Sequence, residues 1–317
     1  MAMFMKNPYI GSGNYCYANS MAMVLQSYGY SYDPGYLECL TAVANSAFWT
    51  DSKSPVIFFS SKFNSPDQGI SLALRNLGFQ FDEFYLNEDP PKQEFVLSKL
   101  SDFLKNGPVI AGPLDMGKLT YIPYAKDLKG VDHYITVYEI DNYIHAHDPA
   151  GYPHIQIDVN DFLDAWKAEK INYRRGSFSM WGNIRKVAEP SPYETYLATN
   201  EAIKHFLSLE QKSEGSGLTG GKAIEKLAQL LLEVKLSPVQ KGNLAYFSFP
   251  LSARRCNDYA RFFEPYDADR SKIKYEQAKC FGKSQMYLMK QRWDQLYETL
   301  CDLADLEEEF QIKTIHS

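Results

Sequence analysis

NYCYANSMAMVLQSYGY, residues 14–30, puts a cysteine at the mouth of an apolar helix. After Cys16 the apolar residues Ala18, Met21, Ala22, Leu25 and Tyr28 recur at three- and four-residue steps, and Gly29 supplies a stop, a spacing that predicts a helix. A sulfur in a first helical turn meets unpaired backbone N–H groups and the positive end of the dipole, and both favour a thiolate. A buried, inert side chain is the commoner fate of a single cysteine. Cys16 therefore becomes a candidate nucleophile only if the rest of the chain supplies a base.

Downstream, Asp33-Pro34-Gly35 signals a turn and 36–44 a second short helix. ANSAFW at 44–49 reads as a loop and PVIFFSSKF at 55–63 as a strand. A helix over 68–77 ends at Gly78, FQFDEFYL at 79–86 alternates like a half-buried strand, and a longer helix spans 92–105. GPVIAGPLD at 107–115 is a short buried strand, and HYITVYEID (133–141) with YIHAHD (143–148) makes a hairpin around Asp141-Asn142. DVNDFLDAWKA at 158–168 is a helix with an acidic start, and a last strand falls within 174–187. Composition then changes: proline-rich EPSPYE, a helix near 196–209, the flexible stretch KSEGSGLTGG, and long helical patterns from Lys222 onward. The expectation is an α+β fold, an N-terminal helix packed on an antiparallel sheet over 1–189. A helix and flexible linker follow over 190–221, then a mostly helical domain over 222–317.

A chain of 317 residues exceeds the size at which one core stops growing, which favours two domains. Hydrophobic residues at 45% and charged ones at 23% are those of a folded globular protein. The 23 Tyr and 19 Phe suit concave binding surfaces. A net charge of −6 argues against nucleic acid as a partner and tolerates a cationic substrate. MAMFMKNPYIGSG does not read as a signal peptide, and no apolar run is long enough to span a membrane, so no membrane association is expected. Five scattered cysteines with no CxxC pair suit neither a disulfide framework nor zinc and point to a reducing compartment, by default the cytoplasm.

A cysteine nucleophile needs a base, and the base needs a group to hold its tautomer. Of the six histidines, His133 opens a strand, and the adjacent strand of the hairpin ends in His147-Asp148-Pro149. Positions 133 and 148 fall at the open ends of the pair, within reach of each other. Cys16 on a helix, His133 on a strand and Asp148 on its neighbour follow the order of papain-like enzymes. Asp148 is nearly as well explained as the start of an Asp-Pro turn. His145 and His147 share a strand face like a metal half-site, but no further ligands accompany them, and solvent-facing positions are the expectation; no metal is called for. GSGLTGG is neither a Walker motif nor a dinucleotide fingerprint.

The cysteine-helix entry, LECLTAVANSAFW, GPVIAGPLDMGKLTYIPY and DHYITVYEID with its closing Asp-Pro resemble the N-terminal domain of the butirosin biosynthesis protein H family. The resemblance covers about 8–187 and the helical tail more loosely; bacteriocin-leader cysteine peptidases are similar more distantly. It implies a papain-like cysteine acyltransferase that takes an acyl group from a carrier-protein thioester, or from coenzyme A, and delivers it to an amine, as in antibiotic biosynthesis. By it Cys16 is the nucleophile, His133 the general base and acid, and Asp148 the orienting carboxylate. No cofactor of its own is needed beyond phosphopantetheine on the partner carrier protein. Asp115 and Tyr121 line the acceptor pocket or only shape their loop, and Arg254, Arg255 and Arg261 meet the phosphopantetheine phosphate or an acidic carrier, or are a solvated face. Where papain-like peptidases carry an oxyanion glutamine, about six residues before the cysteine, this chain has Ile10; Asn14 with the Cys16 backbone N–H is the substitute. A thioester is activated already and needs less oxyanion help than an amide, which favours acyl transfer over the alternative, a peptidase or amidase. A non-catalytic binding module is the second alternative. The helical domain would bind the carrier, cap the site or form a homodimer.

Overall fold

The first helix, α1 (Cys16–Ser27), starts at the cysteine itself, and every residue over 17–25 is buried. Only Asn19 and Ser20 are polar in that stretch, and a helix apolar nearly all round belongs in an interior. Gly29 follows at φ +88°, a left-handed stop that glycine adopts without a steric cost. The computed structural model describes residues 7–11, 13–50, 56–87, 92–212, 217–233 and 236–316. The first six residues of the MAMFMKNPYIGSG stretch, the start of PVIFFSSKF at 55, the 213–216 part of the flexible stretch and the 234–235 end of the first long helix lie outside the described residues.

The chain divides into two compact units, Met1–Leu37 with Pro66–Pro190, and Glu38–Ser65 with Ser191–Ser317. The division runs through α2 (Pro34–Leu40). A two-stranded ribbon, β1 (Phe48–Thr50) with β2 (Val56–Phe58), follows and groups with the second unit. By sequence 38–65 belongs with 1–189; the structure groups it with the helices, because Trp49, Ile57 and Phe59 are buried among Ile224, Leu227, Phe249, Phe281 and Leu303.

In the first unit the remaining elements are α3 (Pro66–Asn76), β3 (Phe79–Leu86), α4 (Gln93–Leu104), β4 (Val109–Asp115), β5 (Asp132–Ile140), β6 (Tyr143–Asp148), β7 (Tyr152–Asp158), α5 (Val159–Trp166) and β8 (Ser177–Lys186). Six of these strands form one antiparallel sheet in the order β3-β8-β4-β5-β6-β7. β4 is buried along its whole length, as its apolar run requires. β7 is an edge strand with mostly exposed side chains, a pattern too weak for the sequence reading to register. Alternation along β5 sets the two faces. Ile135 and Val137 join the core with Val96 and Leu100 of α4 and Phe162, Leu163 and Trp166 of α5. Tyr134 and Thr136 face α1: Tyr134 meets the Tyr17 ring edge-on, Ser20 Oγ donates to the Tyr134 carbonyl at 3.2 Å, and Thr136 Oγ1 donates to the Ser20 carbonyl at 3.1 Å. The cysteine-led helix thus lies against one face of the antiparallel sheet that carries the histidine, the helix-on-sheet α+β packing that the sequence reading expects.

The second unit continues with α6 (Pro192–Lys212), α7 (Gly220–Glu233), α8 (Pro238–Asn243), a π turn over 244–248, α9 (Phe249–Phe263), α10 (Ala268–Met289) and α11 (Trp293–His316). The last of the long helical patterns expected from Lys222 onward is broken into α10 and α11 where Gln291 takes a left-handed φ of +54°. Among the described residues no helix is long and apolar enough to cross a membrane.

Candidate active site

His133 is the second residue of β5 and Asp148 the last of β6. The ladder between those strands ends with Thr136 opposite His147, so both side chains stand beyond its open end. His133 Nε2 meets Asp148 Oδ1 at 2.6 Å, and both residues are buried. Asp148 Oδ1 also accepts the Ala150 N–H at 2.7 Å, and Oδ2 accepts the Tyr121 hydroxyl at 2.8 Å. The aspartate thus both opens its turn, through the Ala150 N–H, and contacts the His133 ring.

The electrostatics follow from that packing. Burial works against a charged His133, but the Asp148 carboxylate, its hydrogen bond and then Cys16 outweigh it and lift the ring to about 10. Burial raises Asp148, and the His133 charge, with hydrogen bonds from His133, Ala150 and Tyr121, brings it below the usual carboxylate value. Cys16, partly exposed as the first residue of α1, is close enough to the His133 ring to add to its rise. With Nε2 on Asp148, Nδ1 is the ring nitrogen left for the sulfur.

Asn14 is exposed in the turn two residues ahead of Cys16, and Ile10 is half-buried. Asp115 is buried, and its Oδ1 accepts the Gly117 and Gly130 N–H groups, both at 2.9 Å, closing the 116–131 loop at its two ends. His147 corrects the solvent-facing expectation: it is buried, Nε2 donates to the Asn7 carbonyl at 3.1 Å and Nδ1 accepts the His154 N–H at 3.0 Å. Its ring lies among Tyr9, Tyr138 and His154, and burial holds it below the usual histidine value. His145 instead pairs with Asp141 at 2.9 Å. Among the described residues no group of three or more His, Cys, Asp or Glu side chains is arranged to hold a metal ion. In the second unit Arg255 Nε binds the buried Glu38 at 2.7 Å, while Arg254 and Arg261 flank Asp258.

Two groups escaped the sequence reading. Tyr9 packs on His147, and its buried hydroxyl is raised first by burial, with the Asp148 carboxylate adding to the rise. Asp132, next to His133, accepts the Tyr173 hydroxyl at 2.7 Å, and Tyr173 lies 3.2 Å from the Tyr134 hydroxyl. Alternation in DHY was the available signal, since it turns residues 132 and 134 to the α1 face.

The YobF C-terminal domain family matches residues 214–313. The uncharacterized protein YobF of Bacillus subtilis (strain 168) is 39% identical over 310 residues, covering 97% of this chain and 98% of that one. Among solved structures, the peptidase domain of Streptococcus ComA, a bi-functional ABC transporter, matches 55% of this chain and 96% of its own at 18% identity with a TM-score of 0.34, too distant to speak to chemistry. A relative this similar along nearly its whole length, with the C-terminal match on the helical segment, makes the chain a member of the YobF family.

Proposed function

We propose that the chain is a cysteine acyltransferase in which Cys16 is the nucleophile, His133 the acid and base, and Asp148 the carboxylate that orients it. The observation that carries the reading is the buried 2.6 Å His133–Asp148 pair with Cys16 on the same ring. Two sequence features support acyl transfer over amide cleavage: the resemblance to the butirosin biosynthesis protein H family, and Ile10 in place of an oxyanion glutamine.

In this reading the Cys16 thiolate attacks the carbonyl carbon of an acyl thioester on a carrier protein or coenzyme A. The new C–S bond forms, the old one breaks, and the departing thiolate takes a proton from His133, which at about 10 is held as imidazolium at neutral pH. Acylation leaves the sulfur neutral and removes one of the interactions that raised the ring, so His133 moves toward the basic form the second step needs. An amine then attacks the acyl carbon, gives its proton to His133, and expels the Cys16 thiolate. No cofactor is required apart from the donor's own phosphopantetheine; the cytoplasm is the proposed setting, and a homodimer through the helical unit a proposed assembly.

Intact-mass measurement after exposure to acyl thioesters, with a parallel incubation with peptides, tests this. The expected result is an acyl mass shift that disappears in Cys16→Ala. A folded Cys16→Ala protein that still transfers acyl groups, or peptide cleavage without any acylation, overturns it.

A further inference from the structure

Tyr121 and Asp115 both lie in the loop region that the sequence marked for an acceptor pocket, yet their hydrogen bonds run elsewhere. Asp115 binds backbone N–H groups at both ends of the 116–131 loop. The loop is fastened to α5 as well: Thr120 Oγ1 donates to Asp161 at 2.9 Å, and Lys118 Nζ pairs with Asp164 at 2.9 Å. From this frame Tyr121 extends to Asp148 Oδ2 at 2.8 Å, with its ring edge-on to Tyr152 at 5.5 Å. We propose that Tyr121 is a positioning residue: the Asp115-closed loop delivers its hydroxyl to Asp148, fixing the rotamer and ionised state of the carboxylate that holds His133.

The geometry leaves each Asp148 oxygen committed. Oδ1 takes His133 and the Ala150 N–H, and Oδ2 takes Tyr121. Without the phenol, Oδ2 is a buried carboxylate oxygen with one donor fewer, and the charged form loses support. The other titratable groups that face Asp148 are His133 from β5, Tyr9 from the N-terminal segment, and Tyr152 of β7 through its contact with Tyr121. Of these His133 alone carries a positive charge, and Tyr9 and Tyr121 are raised phenols that stay neutral beside the carboxylate. Tyr121 is raised by burial first and then by Asp148, so it donates a hydrogen bond and does not compete for the proton.

This inference rests on the catalytic reading of Cys16, His133 and Asp148, and its test separates the two. The readout is the pH profile of Cys16 alkylation by iodoacetamide, a reagent too small to need an acyl or amine pocket, with modification at Cys16 followed by peptide mass spectrometry. Tyr121→Phe should move the acidic limb, which belongs to the coupled Cys16–His133–Asp148 unit, upward by roughly one pH unit and slow alkylation near that limb roughly tenfold. In an Asp148→Asn background the same substitution should change nothing further, because its partner is gone. Asp115→Asn should give a smaller shift in the same direction, and it keeps the inference testable if Tyr121→Phe does not fold. An unmoved limb in a folded Tyr121→Phe, or an equal effect with and without Asp148, overturns the positioning role. A His133→Ala protein alkylated like wild type overturns the catalytic reading instead.

Discussion

Asp148 takes three hydrogen bonds on two oxygens in a site closed to water, and a buried carboxylate so furnished stays ionised only while its cation remains. His133 is raised above its unfolded value of 6.5 to about 10, so its share of the stability is whole below 6.5 and fades as pH climbs through 10. Asp148 is lowered below 3.8, so its share is whole above 3.8 and fades as pH falls through the folded value. Asp148→Asn should therefore cost most between pH 4 and 6.5, on the order of 3 kcal/mol. The difference should shrink toward pH 10, measured by urea unfolding across that range; a cost that is flat with pH overturns the ion-pair account. His133 and Asp148 were legible because a hairpin with a two-residue turn fixes which ends meet. Tyr121 was legible only as a candidate, since nothing local to LTYIPY shows which way a loop side chain turns. The burial of His147 is not legible locally, because it depends on Asn7 and Tyr9, far away in sequence, packing against its ring.

Where the Cys16 sulfur stands depends on where α1 sits, and two side-chain bonds set the height of that helix on β5. Thr136→Val keeps the shape and removes the donor to the Ser20 carbonyl, a buried acceptor, so it should cost about 1–2 kcal/mol by urea unfolding. Ser20→Ala leaves the Tyr134 carbonyl in its strand and should cost about 1 kcal/mol or less. Both variants should also slow Cys16 alkylation, because a helix free to slide loosens the sulfur from His133; unchanged alkylation in both overturns the registering role of the pair. At this scale the sequence was informative wherever period and stop signals agree, as for α1 with Gly29, α3 with Gly78 and the β5–β6 hairpin. α5 was read from its acidic start, and Asp158 turns out to be the cap, accepting the Asn160 and Asp161 N–H groups. β7 and the break at 290–292 were not legible, the first because an exposed edge strand has little apolar alternation, the second because Gln291 is an unusual residue for a left-handed turn.

For the molecule as a whole, the path by which 38–65 joins the second unit is not legible in the sequence, because that stretch has the local pattern of any loop and ribbon. What binds it to the helices is side chains more than a hundred residues away. Glu210 of α6 is the polar centre of that union: it accepts Ser46 at 2.5 Å, Ser61 at 2.9 Å and the Lys62 N–H at 2.9 Å. Burial outweighs those three donors and raises its carboxyl from 4.5 to about 7. A carboxyl raised on folding contributes stability that is whole below 4.5, falls as pH rises to 7, and is level above it. The second unit should thus weaken between pH 4.5 and 7 by an amount on the order of 3 kcal/mol. Glu210→Gln keeps the size of the side chain, removes the titration, and should flatten that slope while costing stability at pH 4, where the wild-type carboxyl is neutral and fully bonded. Thermal unfolding of the full chain at pH 4, 6 and 8, wild type against Glu210→Gln, reads the slope directly, and a slope of the same steepness in the variant assigns the pH dependence to other groups.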